Sequence, residues 1–242
     1  NFFTDPYFGR LLKNTFMISG LTILFGFPAP IILALMINEV KNSAFKRTVQ
    51  TITYMPYFIS MVVMCGLLKT FCMQDGLFSQ IAMAFGGSGQ NFLANPDYFR
   101  TIYVLSDIWS GIGWNSIIYL AALSSIDQEQ YEAARVDGAN RFKQMIHITL
   151  PGLVPTIMVL FILRMGNILN VGYEKILLLY NSATYITADV ISTYTYRLSF
   201  GGSGNPMYSK STAIGLFNTI INVFFLMLTN MISKKATDAG LF

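Results

Sequence analysis

Five long apolar stretches divide the chain, at about residues 11–37, 52–71, 98–123, 152–171 and 212–232. Each is close to or above the roughly 20 residues that cross a bilayer as a helix. The pattern predicts an all-α polytopic membrane protein with five transmembrane helices in one domain spanning 1–242. Pro28 and Pro30 interrupt the first stretch. Each removes a backbone donor, which predicts a kink there, either fixed by packing or moving as a hinge. Pro56 falls in the first turns of the second stretch.

Between the third and fourth stretches the pattern changes. Asp127, Glu129, Glu132, Arg135, Asp137, Arg141 and Lys143 crowd one polar segment, residues 124–151. Asp127 suits the N-cap of a helix whose acidic first turn favours the helix dipole. Within that helix, Tyr131-Glu132-Ala133-Ala134 offers a thin alanine face that another surface can approach closely. Gly138 permits a left-handed turn. Asn140 then caps a second helix running from Arg141 to about Thr149, and Pro151 fits the first turn of the next membrane helix. The segment is predicted to be a helix-turn-helix docking loop.

The spacing Glu132-Ala133-Ala134, then Gly138, then Ile148, Leu150 and Pro151 resembles the cytoplasmic coupling loop of binding-protein-dependent ABC importer permeases. Further stretches, among them Gly113-Trp114-Asn115-Ser116 and Val171-Gly172-Tyr173-Glu174-Lys175, resemble the carbohydrate-uptake branch, in particular permeases for polysaccharides or complex oligosaccharides. The resemblance covers nearly the whole chain. It implies the type I importer fold, and an ATPase-coupling surface at Tyr131, Glu132, Ala133, Ala134, Asp137, Gly138, Ile148, Leu150 and Pro151. It further implies a second homologous permease subunit, two ATPase subunits that carry ATP and Mg, and an extracellular solute-binding protein. The membrane would be the bacterial cytoplasmic membrane, crossed several times and solvated by lipid.

With that loop inside, the 38–51 loop and the tail after Ser233 are inside too. They carry Lys41, Lys46, Arg47, Lys234 and Lys235, a modest bias of the expected sign. Residues 1–10, 72–97 and 172–211 then lie outside, with flexible turns at Gly86–Gly89 and Gly201–Gly204. Within the last segment, residues 181–200 read as an amphipathic helix, lying on the external face or folded as a lid on the chain's own helices. Because Asn1 then starts outside without a Met, a sixth helix upstream is expected.

Composition agrees with a membrane protein. Hydrophobic residues make up 53% and charged residues 12%, about half the usual charged share of a soluble domain. A net charge of +4 spread along the chain leaves no basic patch for nucleic acid. Cys65 and Cys72 stand too far apart on one predicted helix for a disulfide, and His147, the single histidine, has no companion metal ligand.

No phosphate-binding Gly-x-x-x-x-Gly-Lys-Ser/Thr occurs, so the chain is expected to bind no cofactor and catalyse no hydrolysis itself. The remaining chemistry lies at membrane depth: Asp107, Trp114, Asn115, Arg164, Asn167 and Asn170. Two readings stand for the polar members, a sugar pathway and helix-to-helix hydrogen bonding. Trp109, Trp114 and Tyr119 offer ring faces to a sugar, or simply pack. Asp107 and Arg164 fall at similar depth on consecutive spans, which predicts that they pair. The rival class is an ion-gradient-driven secondary transporter or channel. It would need no docking loop and would show inverted repeats.

Overall fold

A computed structural model describes residues 5–201, 206–237 and 240–241. Among these, thirteen α-helices are joined by short 3-10 and π turns, and there is no strand. Four helical stretches are long and apolar enough to cross a membrane: Phe8–Glu39, Met61–Ala84, Arg141–Met165 and Tyr208–Lys235. A fifth helix has the length, but Asp107, Ser110, Asn115 and Ser116 dilute its hydropathy.

The first stretch is α1 (Phe8–Leu21), a π turn at Thr22–Gly26, and α2 (Pro28–Glu39). Pro28 and Pro30 have no N–H to donate to the preceding turn, and their rings crowd carbonyls four residues back. The wider π turn just before them accommodates this, so the predicted interruption falls at 22–27.

The predicted span 52–71 is corrected. Helix α3 (Ser43–Tyr54), capped by Asn42, gives way to a 3-10 turn at Met55–Phe58 and extended backbone at Ile59 and Ser60. Pro56 weakens the helix there, and the Ser60 hydroxyl accepts from Val63 N to start α4 (Met61–Cys72) afresh. A tight turn at Gly76 follows, where a Cβ would sit 2.4 Å from the Thr70 carbonyl oxygen. It leads into α5 (Leu77–Ala84), helix within a segment expected to be loop. Gly86, at φ 82, opens the expected turn.

Helix α6 (Pro96–Ser124) is the centre of the bundle and matches its predicted span. Asn95 caps it and Asp97 opens its first turn. It packs against α2, α3 and, from later in the chain, the helices Leu150–Met165 and Tyr185–Ala188. Gly113 explains one of these contacts. A Cβ there would lie 2.1 Å from the Thr53 carbonyl oxygen, so only glycine lets the end of α3 lie this close.

The polar segment forms α7 (Gln128–Val136) and α8 (Arg141–Gln144), and α8 continues through a π turn at Met145–Thr149 into α9 (Leu150–Met165). The expected break before Pro151 is absent. The π turn immediately ahead of that proline takes up its steric demand, as the one before Pro28 does. Helix α9 also ends earlier than predicted, at Met165, so Asn167 and Asn170 lie in the turn that follows.

The predicted amphipathic helix over 181–200 is instead two short helices. After α10 (Tyr173–Leu179) come α11 (Tyr185–Ala188) and α12 (Ile191–Phe200), parted by extended backbone at Asp189 and Val190. The segment packs on the chain's own helices. Ala188 and Val190 join a core with Ile18, Met64 and Phe99. Asp189 is buried, and the Arg197 guanidinium donates to its two carboxylate oxygens at 2.7 and 2.8 Å. Asn14 of α1 donates to the carbonyls of Ile186 and Asp189, at 2.9 Å each. Those fixed polar contacts, invisible in the pattern, hold the break. Helix α13 (Tyr208–Thr237) completes the bundle. Of the turn expected at 201–204, residues 202–204 lie outside the described residues.

Candidate functional site: a docking loop and a polar cavity

The loop is built by local hydrogen bonds. Asp127 Oδ1 accepts from Glu129 N at 3.0 Å at the start of α7. At its end Gly138 sits at φ 77 and donates to the Arg135 carbonyl at 3.1 Å, while Ala139 donates to the Ala134 carbonyl at 2.9 Å. This pair of bonds is a Schellman closure, which requires the left-handed residue that glycine supplies without strain. Asn140 Oδ1 then accepts from Lys143 N at 2.9 Å and starts the helix that becomes α9.

Glu132, Ala133, Asp137 and Gly138 are exposed, as are Leu150 and Pro151, while Ala134 and Ile148 are half-buried. Tyr131 turns inward. Its hydroxyl lies 3.0 Å from Thr149 Oγ1, tying α7 to the π turn. Val136, one turn beyond Glu132 on α7, and Phe142 on α8 are exposed large apolar side chains, at 89% and 64%. Arg141 meets Glu39 at 3.4 Å, linking the loop to the end of α2.

A second feature lies inside the bundle. A cavity of about 360 Å³ opens between α1, α6 and the α9–α10 turn, lined by Asp107, Arg164, Asn167, Asn170, Glu174 and Lys175 among others. A neighbouring cavity of about 210 Å³ includes Asn115 and Tyr119. Thr22, Asp107 and Arg164 line both. The π turn ahead of Pro28 therefore borders the cavities, and Ser19, one turn earlier, donates to the Ile168 carbonyl in the wall of the first.

Five of the six polar or aromatic candidates thus come together: Asp107, Asn115, Arg164, Asn167 and Asn170. Trp114 does not. It stacks on Tyr57 with ring centroids 4.7 Å apart and planes at 4°, with Phe58 edge-on at 5.8 Å, outside both cavities. Trp109 lines a separate apolar groove with Phe71 and Phe78.

The expected Asp107–Arg164 pair is also corrected. Asp107 Oδ1 is 3.4 Å from Lys175 Nζ instead, and that ammonium donates to the Tyr103 carbonyl at 2.9 Å. Lys175 reaches inward because its side chain, 2% exposed, comes off α10 facing α6, and a buried ammonium needs a counter-charge. Arg164, on the exposed end of α9, can remain solvated. Pattern reading missed Lys175. The available signal was a lone lysine beside the apolar run Ile176–Leu179.

A bundle of membrane-length helices enclosing a polar cavity, with a helix-turn-helix projecting from one end, defines a membrane permease. The chain belongs to the binding-protein-dependent transport system inner membrane component family, whose model matches residues 26–238. Protein LplB of Bacillus subtilis strain 168 is 44% identical over 243 residues, covering 100% of this chain and 76% of that protein. The polygalacturonan/rhamnogalacturonan transport system permease protein YteP of the same organism is 42% identical, covering 99% and 74%. A chain of a bacterial alginate ABC transporter, crystallised with an alginate pentasaccharide-bound periplasmic protein, superposes with a TM-score of 0.94 at 47% identity, covering 99% of this chain and 82% of that one. The fold is that of a type I ABC importer permease.

Proposed function

We propose that this chain forms one side of the translocation pathway of an ATP-driven importer of carbohydrate, taking oligosaccharides or polysaccharide fragments. A second homologous permease subunit supplies the other side, in the cytoplasmic membrane of a bacterium. Two ATPase subunits, which hold ATP and Mg, dock on the loops, and an extracellular solute-binding protein delivers the sugar. This chain contributes no hydrolytic site and binds no cofactor of its own.

The observation that carries this reading is the loop's construction. Its Schellman turn at Gly138 and its caps at Asp127 and Asn140 fix a rigid surface on which Glu132, Ala133, Val136 and Phe142 face solvent. An acidic residue beside small and apolar ones fits a groove on a partner protein. From Arg141 to Met165 the helix continues through its π turn for 25 residues, or about 37 Å at 1.5 Å per residue. Displacement of the loop as the ATPases close would reach Arg164 through that rod, and a rigid-body rotation of the span would reshape the cavity. The carbohydrate class draws on the printed roles of YteP and of the alginate transporter, and on a cavity rich in amide and charged groups.

The test is purification of the tagged chain from its own membranes. The assembly should contain a partner permease and two ATPase subunits. Glu132→Lys and Ala133→Trp should each reduce ATPase recovery several-fold while the permease pair stays together. Undiminished recovery with both variants places docking elsewhere.

A further inference from the structure

Two cations face the larger cavity, and they are not equivalent. Lys175 has three N–H donors, and two of them have acceptors in the protein. One goes to the Tyr103 carbonyl at 2.9 Å and one to Asp107 at 3.4 Å, while the ammonium lies 4.4 Å from the centre of the Tyr103 ring. With its side chain 2% exposed, it offers a ligand almost no surface. Asp107 in turn is committed to Lys175, so together the two present a neutral wall. Arg164 differs on every count. It is exposed, it lines both cavities, and its guanidinium makes no hydrogen bond or ion pair with any described residue.

Beside Arg164 stand two side-chain amides, Asn167 and Asn170, joined to each other by a 3.1 Å hydrogen bond. Across the cavity is Glu174, also exposed and without a partner among the described residues. Asn167 also donates to the Leu163 carbonyl at 3.1 Å, so the groups left over are one planar donor fork, the Asn170 side-chain oxygen and one carboxylate acceptor. A neutral sugar entering here would strip water from the guanidinium without neutralising it. A carboxylate would meet two parallel N–H donors in the fork geometry that suits it. Hydroxyls on the same ring would donate to Glu174 and to the Asn170 side-chain oxygen.

We propose that Arg164 is the specificity-determining residue of this pathway, receiving the carboxylate of an acidic sugar unit, while Lys175 is a positioning residue that keeps Asp107 from competing for it. This rests on the carbohydrate-import reading above and narrows its substrate class to uronic-acid oligosaccharides.

The experiment is a binding measurement, by saturation-transfer NMR, on the purified complex of permeases and ATPases without binding protein or ATP. The probes are trigalacturonate, trimannuronate and the carboxyl-reduced, neutral form of each. The intact complex should bind at least one acidic probe about ten-fold or more tighter than its neutral form. Arg164→Gln should abolish that preference, leaving the acidic probe bound no tighter than its neutral form, and Arg164→Lys should restore part of it. Equal binding of acidic and neutral probes, binding of neither acid, or an acid preference that survives Arg164→Gln would each overturn the proposal. No step of the measurement involves transport, so its failure leaves ATP-driven import standing. Loss of import with acid binding retained would do the reverse.

Discussion

Lys175 Nζ lies 2.9 Å from the Tyr103 carbonyl oxygen and 3.4 Å from Asp107 Oδ1, joining the short helix after the cavity turn to the central helix of the bundle. The pair is lopsided: the lysine side chain is 2% exposed and the aspartate 42%. Removing the aspartate strands a buried charge, whereas removing the lysine leaves a carboxylate that water already reaches. Asp107→Asn should therefore destabilise the subunit by about 1–3 kcal/mol, and Lys175→Met by less than about 1 kcal/mol. Thermal unfolding of the detergent-solubilised complex checks the order. A lysine variant more damaging than the aspartate variant would contradict it.

Gly138 sits at φ 77 and closes α7. Gly138→Val places a β-branched side chain in the left-handed region, at about 1–3 kcal/mol. Gly138→Asn should cost less, since asparagine tolerates that region. The valine variant is expected to insert into the membrane normally and to lose ATPase docking. Normal docking by it would show that the turn does not set the surface.

Gly113→Ala would bring a Cβ to 2.1 Å from the Thr53 carbonyl and 2.9 Å from the Tyr54 ring. Both cannot yield together, so the 3-10 turn carrying Tyr57 should shift away from Trp114 at about 1–3 kcal/mol. With two tryptophans in the chain, Trp109 and Trp114, a Trp109→Phe background isolates the signal. Its fluorescence should change when Gly113→Ala is added, and an unchanged spectrum would mean that the stack survives.

Asp5 anchors the start of the described chain. Tyr194 donates to its Oδ2 at 2.5 Å and Lys210 at 3.0 Å, and the tyrosine bond above all lowers its carboxyl pKa to about 2. A depressed carboxyl contributes stability that is complete above its unfolded pKa, near 3.9, and lost as pH falls through the folded value. Amide exchange in residues 7–11 should be unchanged by pH down to about 4, after allowance for intrinsic rates, and accelerate toward pH 2. Asp5→Asn should remove most of that dependence. Protection that persists at pH 2 would contradict the anchor.

What could be read from the pattern, and what could not, divides by range. Asp127, Gly138 and Asn140 act on backbone groups within five residues, so their roles are local and the helix-turn-helix is legible. The central helix was legible for the same reason, with Asn95 capping it and apolar residues running to Leu123. The break at Ile59–Ser60 was missed because a hydrophobic count weighs Ile59 by its apolarity, whereas Ser60 capping decides its backbone. Lys175 escaped because its burial depends on α6 lying opposite, a contact 68 residues away in sequence. By residue type alone Trp114 fits either a sugar pathway or packing, and which side of α6 faces Tyr57 is a tertiary fact.

The most direct measurement is uptake of labelled uronic-acid oligosaccharides by proteoliposomes holding the full complex, with its binding protein outside and ATP inside. Accumulation should require ATP and the binding protein, stop with vanadate, and ignore imposed proton or sodium gradients. Uptake that continues under vanadate and follows an ion gradient would place the chain with secondary transporters and contradict the account at its centre.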